Sequence, residues 1–355
     1  MTPKHPLSHE VLATRGAERR FESPIVGVKI ARDGKNAAAL TADGEVILIN
    51  RQTMRETESW LVETLHDGGL SLARDCAADS FLTGGEDGRV LKIRPDGSHE
   101  ELYKGKGWIE TLESTPGHYA FSIRKDVMLR DAEGKGEFKT LEHPSTVTGL
   151  AFDAKGLKIA ASHYNGVSLW FVKAKESTPR SYEWKGSHIH VAVHPEGEAI
   201  VTAMQENELH GWRLSDGHNM RMSGYPRQVH SMSFTRKGKW LATSGADAAV
   251  LWPFFGGGPM GKPPLELARL PGLFSSAVLA HPTEEIVAVG YEDGAIIIAE
   301  IGDDDHRAIP VCRGAKSKGV DRGAVTSLCF SDDGGMLIFG TEEGYCGVVD
   351  LTAQS

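Results

Sequence analysis

The sequence predicts an all-β ring, an eight-bladed β-propeller of four-stranded antiparallel blades. Three observations predict it. One phrase recurs eight times along nearly all of the 355 residues: an apolar pair, a linker with Gly, an apolar run, a tight acidic-Gly turn, and an alternating run that often ends in Trp. Asp-Gly and Asn-Gly recur at the tight turns, and both centre residues of such turns tolerate positive φ. The 41 glycines suit a turn-rich chain. Short strands repeating about every 40 residues are the mark of a propeller.

The position held by Trp170 sets the register. It recurs at Ile49, Ile93, Arg130, Trp170, Trp212, Trp252, Ala299 and Val349, at intervals of 37 to 50 residues. A turn precedes each mark: Asp43-Gly44, Asp87-Gly88, Lys125-Asp126, Asn165-Gly166, Asn207-Glu208, Asp247, Asp293-Gly294 and Glu343-Gly344. The third repeat matches least well and rests on spacing. The whole chain, 1–355, reads as one domain, with repeats over 23–352. The last repeat stops after its third strand, at Asp350-Leu351-Thr352. The segment 1–22, through Leu7 to Phe21, is therefore expected to supply the missing outer strand and close the ring, since an open sheet edge invites aggregation. A seven-bladed ring with one degenerate repeat is the alternative.

Two stretches carry a family resemblance. Ser233 to Asp247 followed by Leu251-Trp252, and Ala192-Val193-His194-Pro195-Glu196-Gly197, resemble WD40 repeats, and the likeness extends over most of the chain. The chain resembles a divergent, bacterial-type member. Trp is kept in three repeats only, and Phe171, Arg213 or Pro253 follows it, never Asp. The family's buried Asp-His-Ser/Thr-Trp hydrogen-bond set is thus incomplete, and plain apolar packing is expected to hold several blades. The resemblance implies an interaction platform that binds a protein or peptide; fold alone does not give function.

Composition narrows the classes. With 48 acids against 39 bases the net charge is −9, which argues against nucleic acid as the partner. No apolar stretch approaches the roughly 20 residues that span a bilayer, and residues 1–6 lack an apolar signal core. Cys76, Cys312, Cys329 and Cys346 show no metal or disulfide spacing. A cytoplasmic monomer without cofactor is expected. No G-x-S-x-G or H-E-x-x-H occurs, and acid runs such as Asp303-Asp304-Asp305 read as solvated turns, so an enzyme is not expected.

Two surfaces are candidates for partner binding. The first is the loop of blade six, Trp252 to Pro264, with Phe254, Phe255, Met260 and Lys262; aromatics and Met are residue types of binding hot spots. The bland alternative is that both Phe rings cover the blade edge. Gly256 to Lys262 fits G-x-x-x-x-G-K, but Pro263 and Pro264 come next, in place of the hydroxyl and helix that phosphate binding needs. The second is the channel rim with Trp108, His188, Arg227 and His230, near Asp87 and Asp293.

Strand alternation puts His188 and His190 on one face, and His230 holds nearly the same register in blade six. A metal-handling protein using His188, His190 and His230 is therefore the alternative function; structural histidines before first strands, as at His66 and His143, are the ordinary reading. His194 and His281 precede Pro and are expected in exposed loops. Lys316 to Arg322 is expected to be a solvated basic loop.

Overall fold

The computed structural model describes residues 10–174, 178–302 and 307–352. Leu7 to His9 of the expected closing segment, and Asp303 to Asp305, lie outside them.

Antiparallel strands make up the fold, and all eight register marks fall on the third strand of a repeat. Among the described residues, hydrogen bonding gathers the strands into seven sheets, six of four strands and one of six. The six-stranded sheet holds two repeats. Its strand Lys158–Phe171 is a hairpin folded at Tyr164-Asn165, because Val172 N–H donates back to the Leu157 carbonyl at 3.0 Å. The same bond closes other blades, as from Arg51 to Lys35 and from Leu214 to Glu198, each at 2.8 Å. Its strand Arg180–Val193 serves first as the outer strand of blade four, paired with Gly166 to Leu169, and then as the inner strand of blade five, paired with Ile200 to Met204. The third repeat, weakest in sequence, is a full blade from Leu112 to Glu142.

Eight inner strands succeed one another round a closed ring, from Ile25–Ile30 through Val325–Phe330 and back. Among the described residues, eight apolar clusters fill the interfaces between neighbouring blades. The propeller is thus seven sheets by hydrogen bonding and eight repeat units by packing.

The ring closes as the sequence requires. Strand Gly16–Arg20 pairs with Tyr345–Asp350, with Gly16 opposite Val349 and Arg20 opposite Tyr345. Phe21 N–H then donates to the Gly344 carbonyl at 2.9 Å. Gly344 has φ +80°, and a Cβ there would lie 2.3 Å from the Phe21 carbonyl oxygen, so only glycine suits this seam. Arg322 locks the seam from the side. Nearly buried, it sends Nε and Nη2 to the two oxygens of Glu18 at 2.6 and 2.8 Å, and Nη1 to the Arg313 carbonyl at 3.0 Å. Burial lowers its pKa, but Glu18, together with Cys312 and Glu10, holds the guanidinium above its ordinary value. The expectation that Lys316 to Arg322 is solvated is therefore corrected at Arg322.

A second correction concerns the His-Pro turns. His194 and His281 are buried rather than exposed. Each imidazole reaches across to the corresponding turn of the next blade, His194 Nε2 to the Gly238 carbonyl at 3.0 Å and His281 Nε2 to that of Gly334 at 3.3 Å. Both are pins between blades.

The closing pair separates buried from exposed electrostatics. Glu18→Ala leaves Arg322 buried without its partner and is expected to lower unfolding free energy by about 2–4 kcal/mol. Glu343→Ala breaks only the exposed pair with Arg20 and is expected to cost less than about 1 kcal/mol. Denaturant titration of the two variants checks both.

Candidate functional site: the channel rim and the blade-six loop

The inner strands do not alternate regularly, and this decides where the histidines go. Ile189 is an extra residue: His188 pairs opposite Met204 while His190 pairs opposite Ala203. Equivalent register shifts occur at Ile25/Gly27, Gly69/Ser71, Val147/Gly149, Ser275/Ala277 and Val325/Ser327. A bulge puts two residues against one and reverses the facing of the strand beyond it. Hydroxyl side chains at or beside these bulges bond the next blade. Ser276 donates to the Val325 carbonyl at 2.8 Å, Thr326 to that of Ile25 at 2.5 Å, Ser71 to that of Ile109 at 2.7 Å, and Thr148 to that of His188.

His188 consequently leaves the channel. It is fully buried between blades four and five, with Nδ1 2.7 Å from Thr202 Oγ1 and Nε2 donating to the Trp184 carbonyl at 2.8 Å. Burial lowers its pKa. Both ring nitrogens are spent, so His188, His190 and His230 do not converge on one ion. Among the described residues no group of three His, Cys, Asp or Glu is placed to hold a metal.

His190 and His230 do line one cavity. The channel holds 420 Å³ and also carries Lys29, Glu110 and Glu113. His190, His230 and Glu110 are exposed, and Lys29 and Glu113 are half-buried. Burial, then the neighbouring His230, lowers the His190 pKa; burial raises that of Glu113 although Lys29, Arg74 and Arg32 pull the other way. Asp87 and Asp293, expected near the rim, are engaged. Asp87 accepts from Arg89 and lies 3.1 Å from His66 Nδ1, and Asp293 accepts from Lys316 N at 3.1 Å. Arg227 is exposed, its guanidinium 4.9 Å above the Phe274 ring. Trp108, on the connection between blades two and three, is 53% exposed.

The hydrogen-bond set implied by the resemblance survives in part. His66 Nε2 lies 2.9 Å from Thr83 Oγ1, and Trp170 Nε1 donates to His143 Nε2 at 2.9 Å. In blade six a tyrosine takes the histidine's place: Trp252 Nε1 donates to Tyr225 Oη at 2.6 Å, itself 2.6 Å from Thr243 Oγ1.

The blade-six loop splits into packing and surface. Phe254 is buried among blades five and six, edge-on to Phe234 at 5.0 Å; it is not a free binding residue, because its ring is spent on Phe234 and on His194 of blade five. Phe255 and Met260 are about half exposed. Phe255 stands edge-on to Trp240 at 5.3 Å. Lys262 closes the loop on itself. Its Nζ lies 4.9 Å from the Phe255 ring centre and donates to the carbonyls of Phe255, Gly256 at 3.3 Å and Gly258 at 3.0 Å. The G-x-x-x-x-G-K stretch therefore turns carbonyl oxygens toward its lysine, the reverse of a phosphate cradle.

No model of a protein family matches the chain, and no curated protein matches it.

This geometry sets two expected outcomes. Phe254→Ala opens a cavity between blades and is expected to cost about 3–5 kcal/mol, whereas Phe255→Ala is expected to change stability by less than about 1 kcal/mol; thermal and denaturant unfolding distinguish them. Burial, the first cause in both, depresses the buried His143 and His210 to about 4. An unfolded imidazole takes its proton near pH 6.5. Their contribution is thus full above about pH 6.5 and is lost as pH falls towards 4, by up to roughly 3 kcal/mol each. Stability measured between those pH values should fall with acid, and less so in His143→Gln.

Proposed function

We propose that the chain is a WD40-type interaction platform that docks a protein or peptide partner on the face carrying Trp108, Arg227 and His230. The observation that carries this reading is the exposure of Trp108, at 53%. A large aromatic in that setting is a typical anchor for a partner. Lys104 and Lys106 stand beside it in sequence and are exposed, so an acidic or neutral partner segment suits the site.

The propeller supports the reading physically. Propellers commonly serve as interaction scaffolds, and a closed ring fixes its loops in place before binding, so little entropy is lost in ordering them. The proposed partner is not nucleic acid, in keeping with a net charge of −9. Among the described residues no helix is long and apolar enough to cross a membrane. We take the protein to act in the cytoplasm as a monomer, by binding rather than catalysis. Phe255 and Met260, each about half exposed, are the second candidate.

Capture of partners from a lysate by the wild type, by Trp108→Ala and by Phe255→Ala/Met260→Ala tests the reading. A partner retained by wild type and by the blade-six variant, and lost by a folded Trp108→Ala protein, is the expected outcome. Loss in the blade-six variant alone would transfer the function to that loop.

A further inference from the structure

A cavity of 640 Å³ opens on the face opposite Trp108, where the turns between first and second strands of the blades gather. We propose that it binds the phosphate group of a small molecule, as the free ion or a phosphate monoester, through Arg32, His118, Lys155 and Lys173.

Contacts between blades bring these side chains to one place. Arg32 follows the inner strand of blade one and reaches across to blade three. Its Nη2 donates to the Ser114 carbonyl at 3.1 Å and to Ser114 Oγ at 2.9 Å, and its Nε donates to the Asp75 carbonyl at 2.9 Å. These bonds fix the guanidinium plane, and Nη1 is left without an acceptor among the described residues. Thr115, next in the chain, packs on the turn of blade four: a Cβ at Gly156 would lie 3.2 Å from Thr115 Cγ2. Lys155 precedes that glycine, and His118 N–H donates to Thr115 Oγ1 at 3.1 Å. After burial, Lys173 is the next cause that lowers the His118 pKa, which places that ammonium near the imidazole.

The charge on the cavity wall is unbalanced. Arg32, His118, Lys155 and Lys173 all line the cavity, and none has an ion pair among the described residues. Two acids line it as well. Asp153 is spent on its own turn, where Oδ1 accepts from Leu157 N–H at 2.7 Å and from Lys158 N–H at 2.9 Å. Burial holds the Glu113 carboxyl above its ordinary pKa. Burial, then the neighbouring Arg74, lowers the pKa of Arg32, a repulsion that a bound anion would relieve.

This arrangement favours phosphate over other anions. A phosphate group carries a charge of about −2 and several strong acceptor oxygens arranged in three dimensions, so it can engage a fixed guanidinium and two lysines together. A carboxylate offers one charge and two oxygens in a single plane. The volume falls within the roughly 300–1,000 Å³ of small-molecule sites and is too small for a folded partner.

Isothermal titration calorimetry in phosphate-free buffer, with inorganic phosphate and with glycerol phosphate, tests the proposal. Wild-type protein is expected to bind at least one of them saturably, with Kd below about 1 mM. Tighter binding of glycerol phosphate identifies an ester as the ligand; equal or tighter binding of the ion identifies free phosphate. Lys155→Ala/Lys173→Ala removes two exposed, unpaired charges and should weaken binding at least about fivefold. Arg32→Lys, which keeps the charge and loses the fork, should weaken it as well, while Trp108→Ala on the other face should bind as the wild type does. Absence of saturable binding, or indifference to the double lysine variant, would overturn the proposal. Binding of an oligoglutamate peptide without response to either phosphate would also overturn it and make the cleft an acidic-peptide site.

Discussion

Closure is the constraint on which the molecule depends. Every blade buries its apolar faces only because a neighbour stands on each side, so a ring with one incomplete blade would expose two interfaces and a sheet edge. The five-residue strand Gly16–Arg20 prevents this. It completes the last blade by main-chain bonding, and the Arg322–Glu18 pair ties it to the loop before that blade. The seam joins residues more than 300 positions apart, and such long-range pairing is slow to form because chain entropy is lost before contacts accrue.

Within the ring, small irregularities set the lining of the channel. The bulge near the start of most inner strands turns one side chain toward the next blade and the later ones toward the channel. His188 is thereby committed to structure, while His190 is committed to the channel. Hydroxyls at or beside the same positions bond the adjacent blade, so one deformation both stitches the ring and chooses the channel lining.

The features legible in the sequence were local ones. Third strands and tight turns were readable because a turn's positive φ and a strand's alternation are written in adjacent residues, as at Gly44, Asn165 and Gly294. The incomplete last blade was readable by counting. The facing of His188 was not, because a bulge depends on how the partner strand pairs. Nor was the burial of His194 and Arg322, each of which is fixed by a group on another blade or on the closing strand; for Phe254 the sequence left burial as one of two readings, and contact with His194 of blade five decides it.

The strand Arg180–Val193 runs from one blade into the next without an intervening loop. Elsewhere a turn or coil separates blades, and the junction depends on side chains. A ring under thermal or mechanical load gives way first at its weakest joint, so opening should begin away from blades four and five, which share a backbone and move as one body. In hydrogen-exchange terms they are expected to open as a single cooperative unit larger than one repeat.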